Sequence, residues 1–179
     1  AKRITDIYQS TSAEDILAGT GASDPQDVVN VNGTLYFSAR NGANGRELWK
    51  SNGTAAGTQF IKDIQPGIYG SNPRGFTSVG GTVYFSADDG AGEELWKTDG
   101  TTAGTQLVKL INPASYYHIS EITAVGSTLF FSADDGTSGR ELWKSDGSTA
   151  GTVLVKDIRT GGIYASSSLA KLTAVGSTL

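Results

Sequence analysis

Apolar residues in this chain come in short runs of strand length, each closed off by glycine. Leu-Phe-Phe at 129–131, Leu-Trp at 142–143 and Val-Leu-Val at 153–155 are typical. No stretch places apolar residues at i, i+3, i+4 and i+7 over three turns, so the pattern excludes amphipathic helices and predicts strands throughout. The pattern also repeats. Glu-Leu-Trp-Lys occurs three times, with Trp49, Trp96 and Trp143 spaced by 47 residues, and a fixed period of that size marks a repeat architecture.

Each repeat divides into four strands, A to D. In the third copy A is 123–125, B is 128–132, C is 141–144 and D is 153–158. Between A and B stand Asn32-Gly33, Gly80-Gly81, Gly126-Ser127 and Gly176-Ser177, and two-residue loops of this composition predict primed hairpin turns. A loop of the form Asp-Gly-Ser-Thr-Ala-Gly-Thr joins C to D. A longer and more variable stretch, such as 65–74 or 159–170, leads from D to the next A.

Strands B and C carry apolar residues on both faces, so both faces of each sheet need cover. A four-stranded antiparallel sheet covered by copies of itself is a propeller blade, and the long D-to-A loop crosses from its outer edge to the inner edge of the next. The expectation is an all-β fold, a β-propeller with three full blades and partial ones at each end. The boundaries are 1–11 (outer strand of a preceding blade, with Ile4 to Ile7 as strand D), 12–64, 65–111, 112–158 and 159–179. Trp49, Trp96 and Trp143 are expected to fill the gaps between blades. If the repeats serve as a structural spacer or matrix element, Lys50, Lys97 and Lys144 are expected to keep sheet edges from pairing wrongly. With a fourth unit cut inside strand B, and Ala1 suggesting processing or a fragment, the chain is read as part of a longer repetitive protein or of a ring assembled from several chains.

The string Gly-Arg-Glu-Leu-Trp-Lys-Ser-Asp-Gly-Ser-Thr-Ala-Gly-Thr at 139–152 resembles the ELWxxDGT, or hyalin-like, tandem repeat of secreted bacterial proteins. Copies at 45–58 and 92–105 resemble it too, with Asn52 for the expected Asp in the first and Glu93 for Arg in the second. The resemblance implies a secreted or surface-anchored protein built of propeller-like repeats, without an established catalytic activity. It supplies no ligand.

Composition narrows the chemistry. The 179 residues include no Cys, no Met and one His, and 14 basic against 18 acidic side chains leave a net charge of -4. Thiolate zinc sites, disulfides and cysteine nucleophiles are excluded. The scattered Lys and Arg offer no stripe that would follow a nucleic-acid backbone. No apolar run approaches the ~20 residues of a membrane-spanning helix, and the opening residues carry no signal-peptide pattern. Glycine, at 24 residues, is nearly twice its usual share of ~7%, which fits a chain full of tight turns.

The remaining candidates are acids and aromatics. Asn52, Asp99 and Asp146 occupy one slot in the C-D loop, and a slot that Asn fills as well as Asp is a turn former. Asp88-Asp89 and Asp134-Asp135 end strand B and start like the Asp-box turn of some propellers. They lack the alternating acids and closing Glu of an EF-hand loop, which counts against calcium, although calcium stays open as a cofactor there. Because strands alternate in direction, the B-C and D-to-A loops share one rim. That rim would collect these four acids with Tyr69, Arg74, Tyr116, Tyr117, His118 and Tyr164, and aromatic rings beside carboxylates suit sugars. The Ile-Tyr at 68–69 recurs at 163–164, and recurrence favours packing, with the rings capping the groove between blades, whereas Tyr116, Tyr117 and His118 break the repeat and are the better candidates for a contact.

The expected function is a non-enzymatic, extracellular or cell-surface protein that uses this rim for adhesion or glycan binding, with glycans or surface proteins as partners. A structural matrix or spacer element is the first alternative. The second is a propeller hydrolase or lyase with an acidic rim site, which would need carboxylates in unlike environments, whereas the repeat makes them equivalent.

Overall fold

The computed structural model describes residues 16, 21–112, 119–162, 166–167, 169–176 and 178–179. Tyr116, Tyr117, His118, Tyr164 and the strand expected at 4–7 lie outside them. Twelve strands form three four-stranded antiparallel sheets, with no helix among the described residues. Sheet I holds β1 (Gln26–Val31), β2 (Thr34–Arg40), β3 (Arg46–Ser51) and β4 (Gln59–Lys62). Sheet II holds β5 (Arg74–Val79), β6 (Thr82–Asp88), β7 (Glu93–Thr98) and β8 (Gln106–Lys109). Sheet III holds β9 (Ser120–Val125), β10 (Thr128–Asp134), β11 (Arg140–Ser145) and β12 (Val153–Lys156). Each sheet keeps chain order, so the expected strands A to D are neighbours in every copy. Strand D is shorter than its apolar run suggests. It stops at Lys62, Lys109 and Lys156, and the next residues turn away into the long loop.

The primed turns follow from backbone angles. Asn32-Gly33 and Gly80-Gly81 have φ of 52° and 86°, and 57° and 87°, the pair of positive values a type I′ turn requires. At Gly126-Ser127 only the glycine is positive, at 60°, which fits type II′.

Side-chain alternation explains why both faces are apolar. On sheet II, Val83, Phe85, Ala87 and Trp96 turn toward sheet I, where they pack with Tyr36, Leu48 and Ile61. The intervening Tyr84 and Leu95 turn the other way and pack, with Val108, against Ile122, Leu129, Phe131 and Trp143 of sheet III. Phe37, Phe85 and Phe131 are fully buried, each contributing about 1.5–3 kcal/mol of burial. Trp96 and Trp143 therefore fill the gaps between sheets as expected. Trp49 lies on the opposite face of sheet I with Phe37 and Ala39.

Polar contacts repeat with the same period. Lys50 Nζ donates to Gly100 O at 2.8 Å, and Lys97 Nζ to Gly147 O at 3.0 Å. Lys62 and Lys109 donate to Thr105 O and Thr152 O, both at 2.8 Å, and lie over the Trp96 and Trp143 rings. Thr102 and Thr149 return the contact, donating to Ile61 O and Val108 O at 2.7 Å. This corrects one expectation. Lys50 and Lys97 sit on inner strands of their sheets and bond the next sheet, so they are not guards of an edge.

The first strands of the sheets touch in sequence, β1 with β5 and β5 with β9. Each carries a bulge near its start, with Asp27, Gly75 and Glu121 at positive φ of 52°, 67° and 60°. Thr77 Oγ1 crosses to Ile122 O at 2.7 Å and fixes the spacing there.

Candidate functional site

The loop from β4 to β5 shows how one rim is built. Glu47 is the second residue of β3, inside an apolar strand, and its side chain is fully buried. Its carboxylate accepts the N–H groups of Ile64 (3.1 Å), Gln65 (3.3 Å) and Ser71 (2.7 Å) and the Ser71 hydroxyl (2.5 Å). A buried charge needs such partners, and here they are the two ends of the loop. Asn72 N donates to Arg46 O at 3.0 Å and Asp88 N to Ser71 O at 2.9 Å, which ties the loop to both neighbouring sheets. Gly45 and Gly70 meet back to back, and a Cβ on either would strike the backbone of the other loop. With its base held this way, the loop carries Ile68 and Tyr69 at its tip, 73% and 79% exposed.

Glu94 and Glu141 repeat the device. Glu94 accepts from Ile111 N (2.8 Å) and Asn112 N (3.0 Å), and Glu141 from Ile158 N (3.1 Å). These glutamates were not among the sequence candidates, although one signal was available. An acid recurring in the middle of an apolar strand must be either exposed or satisfied, and the covered faces leave only the second choice.

The four expected metal acids are occupied with turns. Asp88 Oδ1 accepts from Gly90 N (2.7 Å) and Gly92 N (3.1 Å), and Asp89 Oδ1 from Ala91 N (3.0 Å). Asp134 Oδ1 accepts from Gly136 N at 2.7 Å, while Asp135 takes four bonds from Thr137 and Ser138. In the first copy Asn41 accepts the same pair of N–H groups, from Ala43 and Asn44. Among the described residues no three His, Cys, Asp or Glu gather where they could hold a metal ion.

Arg74 pairs with Glu93. This accounts for the Glu that replaces Arg in the second copy, since in the first copy the order of charge is reversed and Arg46 pairs with Asp24 at 2.6 Å. On the opposite rim Asn52, Asp99 and Asp146 behave as turn formers, each accepting an N–H and a hydroxyl from the residue two places on, Thr54, Thr101 or Ser148. Gly57, Gly104 and Gly151 follow because a Cβ there would overlap the Asx side chain. The B-C loops and D-to-A loops do share the first rim, with Gln65 beside Gly90 and Asn112 beside Gly136. A concavity of about 540 Å³ lies between the first strands and is lined by Asp27, Phe76, Thr77, Glu121 and Thr123. It went unnoticed in the sequence because it depends on the spacing of strands in different repeats.

The two sets of acids respond oppositely to pH. Burial raises the Glu47 and Glu94 carboxyls above the ordinary Glu value of 4.5, outweighing the hydrogen bonds they accept. Their contribution to stability is full below the unfolded-chain value and is lost as pH climbs through the folded one. Hydrogen bonds from Thr101 and Ser148 hold Asp99 and Asp146 below the ordinary Asp value of 3.8. At Asp135 burial pushes upward, but the bonds from Ser138 and Thr137 win and the net direction is down. The contribution of these aspartates is present above the unfolded Asp value and is lost as pH falls through the lowered ones. The melting temperature should therefore peak in mildly acidic solution, falling toward neutral pH and again below the ordinary Asp value. Thermal scans across that range check this, and a melting temperature rising steadily to neutrality would contradict it.

No protein-family model matches the chain, and no curated protein matches it.

Proposed function

We propose that the chain is a stretch of β-propeller that works as a non-enzymatic binding module, extracellular or at a cell surface, and engages glycans or surface proteins through the rim of D-to-A loops. The observation that carries this reading is the exposed Ile68-Tyr69 pair. Two large apolar side chains stand in solvent on a loop whose base is held by a buried glutamate, so the tip is presented by a firm support. An aromatic ring placed this way covers the apolar face of a sugar while neighbouring polar groups take its hydroxyls. The acids nearby are engaged by backbone donors, which favours binding over acid-base chemistry.

A spacer or matrix role is the second reading. It is favoured by the hydrogen bonds between sheets, which recur at the repeat period and would let such units add in series. A broad glycan array, run in calcium and again in chelator, separates the two. Selective binding in calcium supports the rim reading, and its loss in chelator would bring the Asp88-Asp89 and Asp134-Asp135 loops in as calcium ligands. A blank array under both conditions supports the spacer.

A further inference from the structure

The loop from β2 to β3 departs from its counterparts at two neighbouring residues whose effects combine. Strand register places Arg40 where sheets II and III have Asp88 and Asp134, so Asn41 stands where they have Asp89 and Asp135. The next residue is glycine in all three, as Gly42, Gly90 and Gly136. In sheets II and III its N–H is held, donating to Asp88 Oδ1 and to Asp134 Oδ1, each at 2.7 Å. A guanidinium has no acceptor to offer, so Arg40 removes that restraint from the Gly42 N–H. Asn41 is meanwhile gripped by its own turn. Its Oδ1 accepts from Ala43 N at 3.1 Å and Asn44 N at 2.8 Å, and its amide donates to Asn44 Oδ1 at 2.9 Å.

We propose that Asn41 is a site of self-modification, deamidating in the folded chain ahead of the other Asn-Gly pairs at 32–33, 44–45 and 52–53. The Gly42 nitrogen, once deprotonated, attacks Cγ of Asn41. A bond forms between them, the Cγ–Nδ2 bond breaks, and ammonia leaves with the proton. Water then opens the cyclic imide to aspartate or isoaspartate. Glycine lets the nitrogen approach because it carries no Cβ, and the two N–H groups on Oδ1 stabilise the negative charge that develops there. The other pairs lack this combination. Gly33 N is held by Asn30 Oδ1 and Gly53 N by Ser51 Oγ, both at 3.0 Å. Asn44 is tied through its amide to Asp63 Oδ2 at 2.6 Å, and Gly45 is wedged against the backbone of 68–70. The aspartate product fits the turn, since Asp135 fills the same slot in sheet III and accepts N–H groups from Thr137 and Ser138. Conversion would add a carboxylate to the rim on the loop that packs against the base of Ile68-Tyr69.

Peptide mass spectrometry on the full chain, aged folded and in urea at mildly alkaline pH, tests this. Trypsin frees 41–46, and its fragment ions separate Asn41 from Asn44. In the folded chain Asn41 is expected to convert about tenfold faster than Asn32, Asn44 or Asn52, because an oxyanion donor is worth ~10²-fold in a closed enzyme site and less on an open loop. In urea the four rates should converge, since only the dipeptide then matters. Arg40→Asp restores the acceptor for the Gly42 N–H and should slow Asn41 to the pace of Asn52, with a melting temperature near the parent's showing that the fold survives. If that variant does not fold, the parent's folded and urea rates decide alone. A folded chain in which Asn41 does not lead, a lead that persists in urea, or a rate that a folded Arg40→Asp variant leaves unchanged would each overturn the proposal.

Discussion

Replacing Glu47 by alanine is expected to destabilise the chain by about 4 kcal/mol or more, the largest loss from any single carboxylate here. The change orphans the N–H groups of Ile64, Gln65 and Ser71 and the Ser71 hydroxyl. A buried donor without a partner costs roughly 1–3 kcal/mol, and water entering at the loop keeps the total nearer the low end of the sum. Glu47→Gln should fall between parent and alanine variant, since one oxygen still accepts while the new amide points hydrogens at donors. Ser71→Ala removes one hydroxyl and should cost about 1 kcal/mol. Urea midpoints for the three variants give the order directly. A loss below about 1 kcal/mol for Glu47→Ala would show that the loop does not depend on this carboxylate.

Gly70→Ala should cost about 3–5 kcal/mol, combining two penalties. The residue sits at φ 72°, where a side chain costs of order 1–3 kcal/mol, and its Cβ would fall on the backbone of Arg46, which cannot move without breaking the start of β3. Gly67→Ala separates the terms. At φ 110° with open space around it, Gly67 pays the backbone penalty alone and should lose about half as much or less. Equal losses at the two positions would mean that the close approach of the loops carries no energy.

The repeat explains how much of this was legible in advance. Strand identity, hairpin turns and the packing role of Trp96 and Trp143 follow from local rules, which a 47-residue period states three times over. The role of Asn52, Asp99 and Asp146 was readable for the same reason, because one copy substitutes Asn and keeps the turn. Lys50 and Lys97 were misread because a cation at a strand end has two uses, and only the adjacent sheet reveals that a carbonyl lies within reach. The glutamates were passed over for a related reason: their partners are loop N–H groups from 17 to 24 residues away. Arg74 was expected among the rim's binding residues, and its pairing with Glu93 shows only once β5 and β7 are placed in one sheet. On the rim, Tyr69 alone of the expected aromatics falls among the described residues.

The account's central claim, that the rim carrying Tyr69 is a binding surface, is tested most directly by one comparison on a glycan array. The parent, Tyr69→Ala and Gln59→Ala would be applied side by side, Gln59 standing at the start of β4 next to the opposite rim. The account predicts that Tyr69→Ala loses the parent's signals while Gln59→Ala keeps them. Signals that survive Tyr69→Ala unchanged, or that vanish only with Gln59→Ala, would contradict it.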